Sequence, residues 1–341
     1  MQVPIVQAPM AGVSSPGMAA AVCAAGGLGS IAVGAMSAEL ARDAIRAARE
    51  AGARPLNVNV FAHEPAKSDT RKEAAWLGRL APEFERFGMQ APSALREIYT
   101  SFLADDAMLA VLVDTRPEVV SFHFGLPRRE QIEALRAAGV VLFATATNIE
   151  EARAIESAGC DAIVAQGCEA GGHRGMFDPD VQDSRLGTFA LTRLVVRNSS
   201  LPVIAAGGIM DGAGIRAALS LGASAAQLGT AFIDTDESLA SPAYRERLHG
   251  DAAHRTRMTR VISGRPARCL ENDIVAWGEG VEDADVPDYP IAYDAGKALD
   301  AAAKAAGQTG YGAQWAGQGA PLARTLPASA LMRALIDELE D

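Results

Sequence analysis

Short apolar runs recur along the chain at fairly even intervals, and longer amphipathic stretches separate them. Most of these runs are continuous rather than alternating. This pattern indicates strands that are buried on both faces, as in a parallel sheet covered by helices. Eight runs predict strands, at residues 4–10, 29–34, 56–61, 119–125, 140–146, 161–167, 202–208 and 225–232.

The stretches between the predicted strands carry the sequence signals of helices. Residues 37–53 (SAELARDAIRAAREAGA) and 148–160 (NIEEARAIESAGC) repeat their apolar residues at helical spacing. Asn148 with Glu151 three residues later is a capping-box sequence. Several stretches end in Ala-Gly or Leu-Gly just before the next strand, which is the expected glycine stop. Eight βα units predict the α/β class and a (β/α)8 TIM barrel.

Two regions interrupt this rhythm and predict a second, smaller and mostly helical domain. They are residues 62–118 and residues 236–341, which leaves residues 1–61 and 119–235 to the barrel. Because the inserted region follows a strand, we expect the smaller domain to lie over the carboxyl-terminal ends of the barrel strands. The clearest helical patches in the insertion are residues 71–88 and 93–114.

Composition and charge narrow the function classes. The chain is 49% hydrophobic and 21% charged, as expected of a globular enzyme, and its net charge of −11 argues against nucleic acid and anionic membranes as partners. The four cysteines have no CxxC spacing, so we expect free thiols and no metal site. The first residues do not resemble a signal peptide, and no apolar run reaches about 18 residues, so we expect a cytoplasmic protein.

The segment GGLGSIA, residues 26–32, resembles the glycine fingerprint of a dinucleotide-binding fold. In that fold the glycines follow a strand and open a helix, because the helix amino terminus holds the pyrophosphate. Here they precede a predicted strand. The barrel is therefore preferred over the dinucleotide-binding fold.

Glycines follow the last two predicted barrel strands. Gly207 and Gly208 end strand seven, and Gly229 and Thr230 end strand eight. Free backbone N–H groups at these neighbouring loops can hold a phosphate, as in many barrel enzymes. The alternative is that the glycines only close tight turns.

Polar and soft side chains at other strand ends suggest a ligand larger than phosphate. Asn59 and Gln166 offer amides to a planar heterocycle, and Met10 in APMAG offers a thioether to an aromatic ring edge. This combination suits flavin mononucleotide (FMN). For Asn59 the alternative is a satisfied polar group in the barrel core.

The loop after strand six, QGCEAGGHRGMF, combines two glycines with a histidine. Gly171 and Gly172 allow the backbone to approach a ligand, and His173 then projects from the same loop. His123, at the end of strand four, either lines a pocket or is a satisfied core histidine. His63 marks a domain junction at most, whereas the other two histidines lie in an arginine-rich stretch and are expected to be solvated.

The segment DYPIAYDAGK places Tyr289, Tyr293 and Lys297 at successive spacings of four, so that on a helix they would share one face. Pro290 would break the first turn of that helix. Two phenols and an ammonium suit a small anion, and Tyr99 from the insertion is a further candidate. Simple packing is the alternative.

Motifs from Gln7 to Gln318 resemble those of the nitronate monooxygenases, formerly called 2-nitropropane dioxygenases, and the match to the first of their two classes is close. The motifs are QAPMAG, NVNVF, SFHFG, QGCEAGGHRG, AAGGI, QLGTAF, PDYPIAYDAGK and YGAQWAGQ. The resemblance implies a (β/α)8 barrel with a small helical domain, FMN as cofactor, and oxidation of alkyl nitronates by O2 to a carbonyl compound and nitrite.

The resemblance also implies roles for individual residues. His173 would be the catalytic histidine, Glu169 and Arg174 would orient its loop, and a carboxylated substrate such as propionate 3-nitronate would suit Lys297. The predicted cofactor residues are Met10, Asn59, Gln166, Gly171, Gly172, Gly207, Gly208, Gln227, Leu228, Gly229, Thr230, Trp315 and Gln318. The predicted substrate pocket contains His123, Tyr99, Tyr289, Tyr293 and Lys297.

Several functions remain open at this level. With a neutral nitroalkane, His173 would remove the α-proton, a role that suits a pKa near neutrality. The main alternative is an FMN-dependent NAD(P)H:quinone or enoyl reductase on the same barrel. Two weaker ones are an inosine-monophosphate-dehydrogenase-like enzyme with Cys168 as nucleophile and a flavin or phosphate binder without activity. The expected partners are a small nitronate and O2, and the expected state is a monomer or homodimer.

Overall fold

A computed structural model describes residues 1–340. Eight parallel strands form a barrel in the order β1-β9-β8-β6-β5-β4-β3-β2. Val6 of β1 bridges to Leu28, next to β2, and nearly closes the barrel. The predicted (β/α)8 fold is confirmed. The barrel strands are β1 (Ile5–Gln7), β2 (Gly29–Ala32), β3 (Leu56–Phe61), β4 (Val119–His123), β5 (Val141–Ala146), β6 (Ala162–Gln166), β8 (Val203–Ala206) and β9 (Ala225–Leu228).

Three further strands form a small sheet in the order β10-β11-β7. They are β7 (Gly172–His173), β10 (Thr256–Thr259) and β11 (Ala267–Leu270). Because β7 belongs to the loop after barrel strand β6, this sheet ties that loop to the carboxyl-terminal part of the chain.

Helices surround the barrel and form most of the remaining structure. The α-helices are α1 (Pro16–Ala24), α2 (Ala38–Glu50), α3 (Thr70–Arg86), α4 (Asp106–Thr115), α5 (Arg129–Ala137), α6 (Ile149–Ser157), α7 (Thr188–Asn198), α8 (Gly212–Ser220), α9 (Pro242–His249), α10 (Asp273–Trp277), α11 (Ile291–Ala305) and α12 (Ala328–Glu340). Short 3-10 helices lie at Phe102–Ala104, Thr230–Phe232, Asp251–His254, Asp283–Asp285 and Ala320–Leu322.

The continuous apolar runs become buried strands because the barrel covers both of their faces. All residues of β1, β2, β6 and β8 are buried. The first five residues of β3 are buried as well, including the amides of Asn57 and Asn59. The Asn57 amide donates to Ser30 Oγ at 3.0 Å, whereas its Oδ1 has no hydrogen-bond partner in the described chain.

The predicted helix starts are present, with one difference. Asn148 caps α6 by accepting the N–H of Glu151 at 2.8 Å. The predicted capping box is not completed, because the Glu151 carboxylate accepts the N–H and the hydroxyl of Thr147 instead, at 2.6 and 2.8 Å. The same carboxylate accepts the N–H of Phe177 at 3.0 Å, which fixes the loop that follows β7.

Two helices that the predicted division assigns to the smaller domain pack on the barrel. Helix α4 packs between α2 and α5, and α12 packs against α8 and α1. Helices α3, α10 and α11 share a separate apolar cluster that includes Trp76, Ile274 and Leu299. The division into two domains remains a prediction, and this packing favours assigning α4 and α12 to the barrel.

The helical patch predicted over residues 93–114 is only partly helical. The chain is irregular up to Ser101, and α4 begins at Asp106. The N–H of Arg96 donates to the Asp294 carboxylate of α11 at 3.0 Å. This tertiary contact replaces a helical hydrogen bond and brings Tyr99 close to α11.

Other features agree with the expectations from sequence. The segment GGLGSIA leads into β2, as the barrel interpretation requires. All four cysteines are free thiols. Among the helices of residues 1–340, none combines the length and the apolar composition needed to cross a membrane.

Candidate active site

One large cavity opens at the carboxyl-terminal ends of the barrel strands. Its volume is about 890 Å³, and its walls come from the barrel loops, from α11 and from the loop before α9. The structure brings 17 of the 19 predicted site residues to this cavity. They are Met10, Asn59, Tyr99, His123, Gln166, Gly171, Gly172, His173, Gly207, Gly208, Gln227, Gly229, Thr230, Tyr289, Tyr293, Lys297 and Trp315.

Leu228 and Gln318 do not line the cavity. Successive side chains of a strand point to opposite faces, so Gln227 faces the cavity and Leu228 faces the surrounding helices. Leu228 accordingly belongs to the apolar core that contains Leu335 of α12. The backbone N–H of Gln318 donates to the Glu169 carbonyl at 2.8 Å, which links two cavity loops.

The loops after β8 and β9 form a glycine-lined cradle. Gly207 and Gly208 have positive φ angles of 117° and 71°, and a Cβ on Gly207 would lie 2.7 Å from Thr188 Oγ1. Within residues 1–340, the N–H groups of Gly208 and Ile209 donate to no other backbone or side-chain acceptor. Unused N–H groups in a cradle that excludes side chains fit an anionic phosphate.

The two predicted amides differ in what they leave for a ligand. Both N–H groups of Asn59 are directed at Ser121, at 3.0 Å to its carbonyl and 3.0 Å to its hydroxyl, so Oδ1 remains as an acceptor. The Gln166 amide holds the loop after β6. Its Nε2 donates to the His173 carbonyl at 3.1 Å, and its Oε1 accepts the Gly175 N–H at 2.8 Å.

His173 is held through both its backbone and its ring. β7 pairs with β11, with His173 opposite Ala267. The ring nitrogen Nε2 lies 2.8 Å from the hydroxyl of Ser263, which is fully buried. The His173 ring is half-buried and opens into the cavity. A hydrogen bond on Nε2 leaves Nδ1 as the ring nitrogen without a protein partner in the described chain.

His123 both lines the cavity and is satisfied by the core. Its Nε2 lies 3.1 Å from the His173 carbonyl, and its Nδ1 lies 3.1 Å from Thr145 Oγ1. Because a carbonyl only accepts, Nε2 of His123 carries the proton and Nδ1 accepts from the threonine. His123 therefore faces the cavity and supports the backbone of His173.

Aromatic rings form a wall around His173. The ring centroids of Tyr289, Tyr293 and Trp315 lie 5.5, 6.2 and 5.1 Å from that of His173. Phe124 meets the His173 ring edge-on at 5.4 Å. This wall shields part of the imidazole from water.

The predicted face of two tyrosines and a lysine is present, although one tyrosine lies outside the helix. Helix α11 begins at Ile291, so Tyr289 precedes it, and the two tyrosine rings are 6.5 Å apart. Lys297 Nζ lies 5.1 Å from the Tyr99 ring centroid and 5.4 Å from that of Tyr293. In the described residues Lys297 forms no salt bridge, so its ammonium is available to an anion.

Burial changes the protonation of the site. Desolvation lowers the pKa of His173 to about 3 and those of His123 and His63 to about 4. It also raises the pKa of the Tyr289 and Tyr293 phenols above their ordinary value. All five groups are therefore uncharged near neutral pH. The near-neutral pKa expected for His173 from sequence does not agree with its surroundings.

Glu169 and Arg174 anchor the loop that carries His173. The Glu169 carboxylate accepts the Thr188 N–H at 2.9 and 2.8 Å, at the start of α7. The buried Arg174 guanidinium pairs with Asp183 at 2.8 and 3.1 Å and also donates to the Gln166 carbonyl. Both side chains bond to protein groups, which agrees with an orienting role.

Sequence reasoning missed several residues of the site. Ser263, Arg265 and Phe124 contact His173 or its aromatic wall, and the fully buried His63 packs edge-on against Tyr289 at 5.0 Å. The expectation that site residues lie at the carboxyl-terminal ends of barrel strands does not identify the segment from Ser263 to Arg265, because this segment follows no barrel strand. Phe124 lies inside a quoted motif, next to His123, and could have been found there.

The chain was compared with known proteins. A model of the nitronate monooxygenase family matches residues 1–338. A nitronate monooxygenase from Paraburkholderia phytofirmans is 60% identical over 337 residues, which cover 99% of this chain and 92% of that protein. A nitronate monooxygenase from Pseudomonas aeruginosa is 54% identical over 339 residues, which cover 99% and 97%.

Solved structures agree with the sequence comparison. Nitroalkane oxidase from Streptomyces ansochromogenes superposes with a TM-score of 0.91 at 43% identity, covering 99% of this chain and 96% of that one. FabK from Thermotoga maritima superposes with a TM-score of 0.75 at 29% identity, covering 100% and 93%. The whole-length family match, the high identity and the shared barrel agree, and the chain is an enzyme that belongs to the nitronate monooxygenase family.

Proposed function

We propose that this enzyme uses FMN and O2 to oxidise alkyl nitronates that are already ionised, giving a carbonyl compound and nitrite. One observation carries the proposal. The cavity joins a glycine cradle with unused N–H groups to a wall of neutral rings around His173, with an unpaired ammonium at Lys297. The first part suits a phosphorylated cofactor, and the second suits a small organic anion.

The residues present fit FMN. Gly207, Gly208, Gly229 and Thr230 would hold its phosphate, and Asn59 would meet the polar edge of its ring through Oδ1. When bound, FMN accepts electrons from the substrate and passes them to O2. The protein supplies placement, exclusion of water and charge.

The neutral state of His173 supports a nitronate rather than a nitroalkane as substrate. A general base works best when its pKa lies near the working pH, and the pKa of His173 is lowered to about 3. Such a ring is a poor acceptor for the α-proton of a neutral nitroalkane. It can still position a nitronate through the ring nitrogen that is not bonded to Ser263.

Lys297 supports a substrate with a second anionic group. Its ammonium lies over two phenol rings on the cavity wall, next to the tyrosines that flank His173. A carboxylate attached to the nitronate, as in propionate 3-nitronate, would meet this charge. The nitronate end would then face His173.

The test compares nitronates with their neutral parents. We expect a yellow protein that releases FMN and consumes O2 with ethyl nitronate and propionate 3-nitronate without NADH. Turnover with nitroethane should be much slower. His173→Asn should keep its cofactor and lose roughly 10- to 100-fold of nitronate turnover, about the value of one hydrogen bond to a charged group. The exposed histidine variant His254→Asn is the matched control.

The outcomes separate the alternatives. Rapid reduction by NADH with no nitronate turnover would assign a quinone or enoyl reductase instead. A colourless protein that takes up no FMN would contradict the cofactor proposal. Undiminished nitronate turnover in His173→Asn would remove His173 from the reaction, and fast turnover of nitroethane would contradict the preference for ionised substrate.

A further inference from the structure

Arg265 is a buried cation beside the aromatic wall of the cavity. Only 4% of its surface is exposed. Its guanidinium donates to the carbonyls of Met176 and Phe177, and its central carbon lies 4.4 Å from the Phe124 ring centroid. In the described part of the chain no carboxylate forms a salt bridge with it, and its Nε has no hydrogen-bond partner.

Phe124 holds this guanidinium in a fixed relation to the site. Its φ angle of 76° lies in the left-handed region, which bulky residues rarely adopt and which recurs at functional sites. Its ring centroid is 5.4 Å from that of His173 and 5.4 Å from that of Tyr289. Together with the 4.4 Å to Arg265, these distances place the guanidinium within about 10 Å of both rings.

The two residues before Arg265 touch the same site. Ser263 Oγ bonds His173 Nε2 at 2.8 Å. Gly264 has a φ angle of 95°, and a Cβ there would lie 2.6 Å from the Tyr289 nitrogen. The segment Ser263–Gly264–Arg265 therefore contacts His173, the Tyr289 backbone and Phe124 with consecutive residues, which fixes where the charge sits.

Little negative charge compensates Arg265. The carboxylates that act on it, Asp178 and Asp180, are both exposed, and Asp180 pairs with Arg260 at 2.9 Å. The titratable rings that surround the guanidinium are neutral, because burial lowers the pKa of the histidines and raises that of Tyr289. Burial lowers the pKa of Arg265 itself only to about 10, so it stays charged at neutral pH.

We propose that Arg265 is a positioning residue that makes the substrate end of the cavity selective for anions, by placing an uncompensated buried charge behind Phe124. It acts through the electric field and not through contact, since it does not line the cavity. Its charge favours the ionised nitronate over the neutral nitroalkane of the same shape. It also opposes protonation of His173, whose ring lies within about 10 Å of the guanidinium. This inference rests on the proposed function only for the identity of the anion.

The size of the effect follows from distance. An anion held against the His173 ring lies roughly 10 Å or less from this charge, and in a medium with an effective dielectric constant of about 20 the charge changes its affinity by about tenfold. The affinity for a neutral molecule of similar shape should not change. A purely structural role would weaken the binding of both.

The experiment measures two ligands of opposite character by calorimetry in the purified enzyme, without O2 so that neither is turned over. Nitrate represents the planar anion and nitroethane the neutral compound. Arg265→Gln keeps a polar side chain and removes the charge, so nitrate should bind about tenfold more weakly and nitroethane as before. The control is Arg268→Gln, a neighbouring buried arginine that donates to the Cys168 carbonyl at 2.8 and 3.0 Å and lies near Glu169. It should leave both affinities unchanged.

Equal affinities for nitrate in Arg265→Gln and the wild type would overturn the proposal, and so would parallel losses for nitrate and nitroethane. If Arg265→Gln does not fold, Arg265→Lys keeps the charge and should keep nitrate affinity within about threefold. Loss of nitrate binding in that variant, with nitroethane binding intact, would also contradict it. Because these measurements involve no turnover, they stand apart from the oxygen-uptake test of the proposed function.

Discussion

His63 offers a direct test of how strongly the site desolvates its histidines. It is fully buried and packs edge-on against Tyr289 at 5.0 Å. Its Nδ1 donates to the Glu64 carbonyl at 3.0 Å, and its Nε2 has no partner within residues 1–340. Desolvation lowers the pKa of His63 from 6.5 to about 4. We predict that replacing it in His63→Gln reduces the acid sensitivity of the fold.

The direction of the pH dependence follows from the number of protons that the folded and unfolded chains bind. Between pH 6.5 and about 4 the unfolded chain binds a proton at this histidine and the folded chain does not, so stability falls as the pH falls through this window. From pH 7.5 to 5.0 the loss for one such group is about 2 kcal/mol. Total stabilities are about 5–15 kcal/mol, so the difference is measurable.

The assay is urea unfolding of the wild type and His63→Gln at pH 7.5 and 5.0, with the same cofactor content in all samples. Only the change between the two pH values is compared, so any constant effect of the substitution cancels. The wild type should lose about 2 kcal/mol more than the variant. His254→Gln, at an exposed position, should behave like the wild type. Equal losses in His63→Gln and the wild type would refute the reasoning.

Two further predictions concern the ligands. Lys297→Met should raise KM for propionate 3-nitronate about three- to fivefold, because the ammonium is exposed and partly screened, and should hardly change KM for ethyl nitronate. The control is Lys304→Met, because this lysine is already paired with Asp300 at 2.6 Å. Equal changes in KM for the two substrates would contradict a contact between Lys297 and the substrate carboxylate. Gly208→Val should lower the FMN content of purified protein, because the φ angle of 71° is unfavourable for valine and the residue lies in the glycine cradle. Gly88→Val is the control, because Gly88 has a similar φ angle of 70° with open space around it, and equal cofactor loss in both variants would indicate general misfolding.

The barrel was predictable because its signal is local and repeated. Most of the strands are buried on both faces and appear in the sequence as continuous apolar runs. The glycines that end the helices mark the turns between the units. The strand-end rule then gathers residues that are far apart in sequence, such as Asn59, His173 and Thr230, at one end of the barrel. Most of the candidate site follows from these two rules.

The remainder depends on contacts that no local pattern encodes. Residues 93–101 have helical periodicity, yet the Asp294 carboxylate holds their backbone in an irregular path. Ser263 and Arg265 reach the site from a turn that precedes a strand of the small sheet, outside the repeat. The pKa of His173 also depends on the groups that enclose it, and the prediction of a near-neutral value lacked that information.

The features from which we infer a preference for an anionic substrate also destabilise this end of the barrel. A buried guanidinium without a carboxylate and three histidines kept neutral by burial all lower stability relative to apolar residues of the same size. The surrounding structure compensates through backbone bonds. Met176 and Phe177 accept from Arg265, and the His173 carbonyl accepts from His123 and Gln166. In a chain of net charge −11, long-range attraction would not draw an anion to this site. A locally enclosed positive charge, held where solvent cannot screen it, supplies that preference instead.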